Sequence, residues 1–231
     1  MQLFYTPDIR DGFAYFDEEE SRHLHSVLRR QSGDRLSLTD GKGFFYETEL
    51  TEVGKKQALA RILSSKAAPA GRAGKLHVAI ASTKQIERFE WFLEKAVEIG
   101  IHAITPLHCQ RSERDTIRHD RLEKILVSAM KQSLRAFLPL LHPLTKFESL
   151  VSSATEPQKR IAWCGDEPMP HLKETLQPGP DTLILIGPEG DFSAREVDLA
   201  LQKGFSAISL GDARLRTETA GVFSVAVFNL L

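Results

Sequence analysis

The chain has 231 residues, of which 42% are hydrophobic and 26% charged, enough for a substantial core in an ordinary soluble globular protein. No stretch reaches the roughly 18 to 20 apolar residues of a membrane span, so a cytoplasmic location is expected. A net charge of −1 and a pI near 6.7 create no overall field for nucleic acid, so any RNA partner must be met by local patches.

Two cysteines, Cys109 and Cys164, stand far apart without metal-ligand spacing and read as free thiols. His23, His25 and His108 lack a second ligand pair, so no metal site is expected.

Residues 1 to about 68 alternate short apolar runs with turn signals: Gly33-Asp34, RLSLTD, Asp40-Gly41-Lys42-Gly43, FFYETEL and QALARIL. These are strand and hairpin signals. Among them, residues 18–30 place Leu24, Val27 and Leu28 on one face of a helix. A small β-barrel with one helix fits. Residues 64–75 (SSKAAPAGRAGK) read as a linker, with a domain boundary near Ala70.

After it, the strand LHVAIA (76–81) precedes a helix with Ile86, Phe89, Leu93, Ala96 and Val97 in register, ending at Gly100, and AITPL (103–107) follows as a strand. A second helix is predicted over 119–136, with Leu122, Ile125, Leu126, Ala129 and Ser133 inward. IAWC (161–164), TLILIG (182–187) and AISLG (207–211) supply further strands of an α/β sheet.

Two segments carry the chemistry. The strand ending at Ile186 runs into Gly187-Pro188-Glu189-Gly190, then a helix opened by Ser193 with Glu196 three residues on, a capping box. Such a turn presents backbone N–H groups at the carboxyl end of a parallel strand, where α/β sheets bind ligands. Glycine-proline turns also serve packing alone. The second segment has the same layout: a strand to Leu210-Gly211, a loop with Arg214 and Arg216, and a helix from about Thr217.

With its S-x-x-E cap and the LG-x-x-x-LRTETA that follows, the strand-GPEG unit resembles the ribosomal RNA small subunit methyltransferase E family, the 16S rRNA uridine-N3 methyltransferases. The resemblance takes in His23 to Arg29, LEKAVEIG (93–100), ITPL (104–107) and KQSLRAFLP (131–139), nearly the whole chain. It implies a PUA-like RNA-binding β-barrel over 1–70 and a SPOUT α/β methyltransferase domain over 71–231, with a carboxyl-terminal trefoil knot that general connection rules disfavour. It further implies S-adenosylmethionine as cofactor, a homodimer, and 16S rRNA of the small ribosomal subunit as partner.

Carried onto this chain, the cofactor loops are Ile186, Gly187, Pro188, Glu189 and Gly190, then Leu210, Gly211, Leu215 and Arg216, with Cys164 and Gly165 as a third edge. Three positions depart from the family: Asp191 where a second glycine is frequent, Leu3 where a basic residue is common, and Lys131 where the EQxxR version of the KQSLR motif has an acid, with Gln132 and Arg135 kept.

Methylating uracil N3 requires removal of the imide proton and alignment of the nitrogen lone pair. Arg216 is the candidate for stabilising the uracil anion, or else it pairs with Glu189 or Glu218. Either Glu189 or Glu218 can be the base, and either can instead serve a helix N-terminus. For RNA phosphates the candidates are Arg22, Arg29 and Arg30, then Arg111, Arg114, Arg118, Arg121 and Arg135. Seven Lys and Arg face four acids over 111–135, a pattern solvated helix faces share. Rival readings are 2′-O-methylation of ribose and a noncatalytic RNA-binding assembly factor.

Overall fold

The computed structural model describes residues 2–69, 71, 73–165 and 168–231. The chain divides into two compact units, 1–70 with 127–138, and 71–126 with 139–231. The expected boundary at Ala70 lies outside the described residues.

In the first unit, β1 (Leu3–Tyr5), β2 (Ile9–Arg10), β3 (Phe13–Phe16), β4 (Arg35–Thr39), β5 (Phe44–Val53) and β6 (Ala58–Ala67) form one sheet in the order β1-β4-β5-β6-β3-β2. Period-two alternation sets its inner face: Leu36 and Leu38 of β4, Leu50 of β5 and Ala58 and Ala60 of β6 join Phe4 and Phe16 in the core. Because Ser64 to Ala67 pair with Phe44 to Glu47, the segment read as the start of a linker is the end of a strand.

The helix expected over 18–30 breaks into two parts. Asp17 caps α1 (Glu18–Arg22) by accepting from the Glu20 N–H at 2.8 Å, and His23–Val27 then widens into a π turn, with Leu28 N–H donating to His23 O at 2.9 Å. The extra residue in that turn shifts the register. Leu24 stays fully buried, whereas Val27, expected inward, is 65% exposed. Arg29 ends the turn at φ 53°.

Residues 127–138 complete this unit. Ala136 O accepts from Thr39 Oγ1 at 3.2 Å and Gly43 N at 2.9 Å, while Leu138 N donates to Gly41 O at 2.9 Å. Lys131 places its ammonium 2.6 and 2.9 Å from the two carboxylate oxygens of Glu20. The positive charge at position 131 is thus answered by an acid on α1.

The second unit holds β7 (Leu76–Ala81), α2 (Ile86–Ile99), β8 (Ala103–His108), most of α3 (His119–Gln132), β9 (Leu140–Leu141), β10 (Thr145–Lys146), α4 (Phe147–Ser153), β11 (Gln158–Ala162), α5 (Leu172–Thr175), β12 (Thr182–Ile186), α6 (Ala194–Gln202), β13 (Ser206–Ile208) and α7 (Thr217–Leu230). Helix α3 ends four residues before the predicted 136, with Leu134 at φ 55° just beyond it. The sheet order is β10-β8-β7-β12-β11-β13, with β9 also on β8, and all its ladders are parallel. Central β12 is buried along its whole length, which is why TLILI reads as a continuous apolar run.

Helix α2 buries Phe89, Phe92, Leu93, Ala96 and Val97, and Gly100 caps it at φ 120°, a conformation that favours glycine. From the sheet edge at β13 the chain returns as α7 to pack on β7, β12 and α2. The approach is close: a Cβ on Gly221 would come within 2.7 Å of Ile80 and Phe92. Asn229 Nδ2 ties the far end to Gly100 O at 2.8 Å.

Candidate active site

The ends of β11, β12 and β13 lie in register, Ala162 beside both Ile186 and Ile208. Their three following loops, from Trp163, Gly187 and Ser209, therefore leave the sheet side by side at its carboxyl edge, the edge at which α/β sheets take ligands. Trp163 N donates to Ile208 O at 3.3 Å, joining the first loop to the third strand.

The β12–α6 loop is held by its own carboxylates. Glu189 Oε1 accepts from Lys84 N at 3.0 Å, on the β7–α2 loop. Glu196 accepts from Ser193 N at 2.8 Å to complete the predicted capping box, and its other oxygen accepts from Gln110 N at 2.8 Å, after β8. Asp191 accepts from Cys164 N at 3.0 Å and from Phe192 N at 2.7 Å. Its φ is 59°, a left-handed conformation suited to the glycine frequent in the family. In this chain the two hydrogen bonds offset that backbone cost and bind the β11 and β12 loops together.

Two arginines finish the brace. Arg111 Nη1 donates to Gly190 O at 2.7 Å, and Arg114 Nη2 donates to Lys84 O at 3.0 Å. Both were candidates for RNA phosphates, and both guanidinium groups already serve loop carbonyls.

The β13–α7 loop is more open. Gly211 adopts φ 113°, and nothing lies within 4 Å of where its Cβ would be. Its N–H donates to Ser209 Oγ at 3.0 Å, and Leu210 and Leu215 are half-buried beside it. Thr217 opens α7 and donates its hydroxyl to Gly187 O at 3.1 Å, which fixes the start of this helix against the glycine turn.

Beyond Thr217 a cleft of about 570 Å³ opens between the starts of α2 and α7, lined among others by Arg88, Trp91, Arg214, Arg216 and Glu218. Arg216, at the N-cap position, is exposed and makes no side-chain cap. Glu218 is 7% exposed; Arg88 Nε stands 3.9 Å from its Oε1, while Oε2 is buried with no hydrogen-bond partner among the described residues. A buried carboxylate oxygen without a donor is unusual; Ser82 Oγ and Glu90 Oε1 are also without a hydrogen-bond partner among the described residues.

The RNA methyltransferase domain family matches residues 71–229, and an RNA methyltransferase PUA domain matches 16–63. A ribosomal RNA small subunit methyltransferase E from a Synechocystis strain is 31% identical over 90% of this chain and 70% of its own length. The chain belongs to that family. A crystal structure from Porphyromonas gingivalis described as a probable rRNA-methyltransferase superposes with a TM-score of 0.89 at 39% identity, covering 97% of this chain and 95% of that one. The family's enzyme from Neisseria gonorrhoeae, solved bound to S-adenosyl methionine, gives 0.85 at 27% identity, covering 98% and 95%.

Against this family background the remaining sequence candidates divide. Cys164 is exposed at the end of β11, and its thiol is pushed up by partial burial and then by the Asp191 carboxylate. It stays neutral and is no nucleophile at neutral pH. Gly165 beside it packs against the Trp163 ring, where a Cβ would come within 2.7 Å.

Of the arginines expected on RNA, Arg22 pairs with Glu18 at 2.8 Å, Arg30 with Asp34 at 3.8 Å, Arg118 with Asp120 at 2.9 Å and Arg121 with Glu90 at 2.6 Å. The first three are exposed on both sides, and such pairs are weak and exchange readily for phosphate, whereas Glu90 is largely buried against Arg121. Arg135 is half-buried, and burial pushes its guanidinium down. A second cleft of about 600 Å³ runs along α6 past His108, Glu148, Arg195 and Asp198. Its lining carries mixed charges and includes neither Gly187, Gly190 nor Gly211.

Sequence reasoning missed Arg88, Trp91 and Thr217. A signal existed for one of them: Trp91 falls on the face of α2 opposite Phe89, Leu93 and Ala96, where a charged residue is the ordinary occupant.

Proposed function

We propose that the protein transfers a methyl group from S-adenosylmethionine to N3 of a uridine in 16S rRNA of the small ribosomal subunit. The observation that carries this reading is the place of Glu218 on a cleft that also carries Arg88, Arg214 and Arg216, with one of its oxygens unpartnered among the described residues. An acceptor of this kind suits a substrate that must bring its own N–H donor, as the uracil imide does.

The cofactor fits the loops present. Open space at Gly211, the glycine turn at Gly187 and the half-buried Leu210 and Leu215 leave room for a ligand beside apolar side chains. Ile186, Gly187, Pro188, Gly190, Leu210, Gly211, Leu215 and the Cys164–Gly165 edge would hold it, with Glu189 keeping the turn in place. When bound, S-adenosylmethionine supplies an electrophilic methyl carried on a sulfonium.

Glu218 accepts the proton as the N3–H bond breaks, and the nitrogen lone pair becomes available for the new N–C bond. Arg216 stabilises the charge that spreads onto the uracil carbonyl oxygens. Glu189 is the weaker base, since its carboxylate already accepts from Lys84 N. The target uridine must be unpaired or flipped out, because N3 lies within the base pair. Arg22, Arg29 and Arg30 of the PUA-like unit contact neighbouring phosphates, as does Arg135.

The same reading includes closure of the first unit's strands into a barrel, a trefoil knot, a homodimer and a cytoplasmic site of action. The return of α7 from β13 to β7, with Thr217 on Gly187 O, supports a threaded carboxyl terminus. Among the described residues no helix is long and apolar enough to cross a membrane.

The test is transfer of labelled methyl to unmethylated small subunits, naked 16S rRNA and tRNA, with mass spectrometry locating the label. Label at uridine N3 of 16S rRNA is expected. Label on ribose or on tRNA overturns the substrate, and cofactor binding without any transfer favours an assembly factor.

A further inference from the structure

We propose that Trp91 is the surface on which the target base stacks, so that the cleft at the start of α7 takes one unstacked nucleotide, with Arg88 beside it as the cation over the base or its phosphate. The inference rests on reading that cleft as the substrate site.

Trp91 is 44% exposed, although α2 has an apolar face that could have buried an aromatic ring. It sits three residues after Arg88, so both project to the same side of the helix. That side meets α7, since Arg88 reaches to 3.9 Å from Glu218. A half-exposed indole, three guanidinium groups and a carboxylate acceptor thus share one wall-to-wall cleft of about 570 Å³. This volume lies in the range that encloses a small ligand and is too small for a duplex.

The chemistry is that of single-stranded nucleic acid sites, where an aromatic face holds the base and arginines hold the backbone. Extruding a base loses its stacking in the RNA, and stacking on an aromatic side chain returns part of that loss. Glu218 tests the edge of the base while Trp91 tests its face. Stacking alone does not distinguish bases, so Trp91 sets affinity and the angle of presentation, and discrimination lies with the polar groups.

The experiment compares wild type, Trp91→Ala and Trp91→Phe in methyl transfer to unmethylated small subunits, with S-adenosylmethionine affinity measured alongside. Trp91→Ala is expected to raise KM by about 10- to 100-fold, the range set by the stacking energy. Trp91→Phe keeps a ring and is expected to recover most of the loss, and cofactor affinity is unchanged in both.

Indole emission gives a second readout independent of turnover. A dye-labelled oligouridylate hexamer, its binding followed by anisotropy, is expected to quench the wild-type emission and to leave the emission of Trp91→Phe unchanged. Wild-type KM in Trp91→Ala, or bound hexamer without quenching, overturns the proposal. So does an emission that shifts with protein concentration in the absence of RNA while Trp91→Ala loses an oligomeric state, because a second copy of the chain then covers the ring. Quenching without label at uridine N3 removes the uridine assignment and keeps the platform. Label at N3 with an unaltered Trp91→Ala does the reverse.

Discussion

The loop after β12 and the start of α7 are neighbours joined by one hydrogen bond, Thr217 to Gly187, yet they treat their charges in opposite ways. In the loop, Glu189, Asp191 and Glu196 each accept a backbone N–H from another segment, and Arg111 and Arg114 donate to carbonyls. At α7, Arg216 makes no side-chain cap and Glu218 leaves an oxygen without a donor among the described residues. Saturated polar groups build a scaffold. The unsaturated ones, a short distance away in the chain, are those proposed above to meet a substrate.

The largest effect that tests this division belongs to Glu218. Glu218→Gln keeps size and polarity but removes the proton acceptor, so kcat is expected to fall by about 10²- to 10⁴-fold while urea unfolding changes little. Unchanged turnover in Glu218→Gln ends its role as base. Arg216→Ala comes next, with a loss of about 10²- to 10³-fold in kcat and a near-normal unfolding midpoint, as expected for a group that stabilises developing charge. If its stability falls instead, Arg216 belongs with the scaffold.

On the saturated side the order of effects reverses. Glu196→Ala removes the reciprocal cap and the acceptor for Gln110 N, and is expected to destabilise the protein by about 2 to 3 kcal/mol in urea unfolding. Its remaining folded fraction should turn over normally.

Asp191→Gly is the mildest, since relief of the positive φ offsets much of the lost bridging, and its stability is expected to move by no more than about 1 kcal/mol. The variant also removes a carboxylate that holds the Cys164 thiol above its ordinary range. The thiol should therefore fall, a larger fraction should be thiolate at pH 8, and alkylation of Cys164 by iodoacetamide should speed up. An unchanged alkylation rate would show that burial alone sets the thiol.

Much of the scaffold is legible in the sequence because it follows from local rules. The buried run TLILI, the amphipathic α2 with Gly100 behind it, and the Ser193–Glu196 box are each decided within a few residues. The π turn at His23–Val27 is not, because periodicity assumes a constant turn and so brings Val27 inward. Two-residue strands such as β9 and β10 carry no pattern of their own; their place is given by β8.

The candidate site divides in the same manner. Its glycines and Arg216 sit in a recognisable motif, whereas the choice between Glu189 and Glu218 depends on Lys84, more than a hundred residues away in the chain. Trp91 escapes a reading by helical faces, which assigns every outward residue to solvent.

Residues 127–138 give the amino-terminal unit a second chain segment, with Ala136 and Lys131 closing onto Thr39 and Glu20. During synthesis, at about 5 to 20 residues per second, everything from β1 to β6 emerges several seconds before that segment exists. The amino-terminal unit therefore lacks the partners of Thr39 and Glu20 until β7, α2, β8 and α3 have been made, so its last contacts are timed by the other unit's early elements.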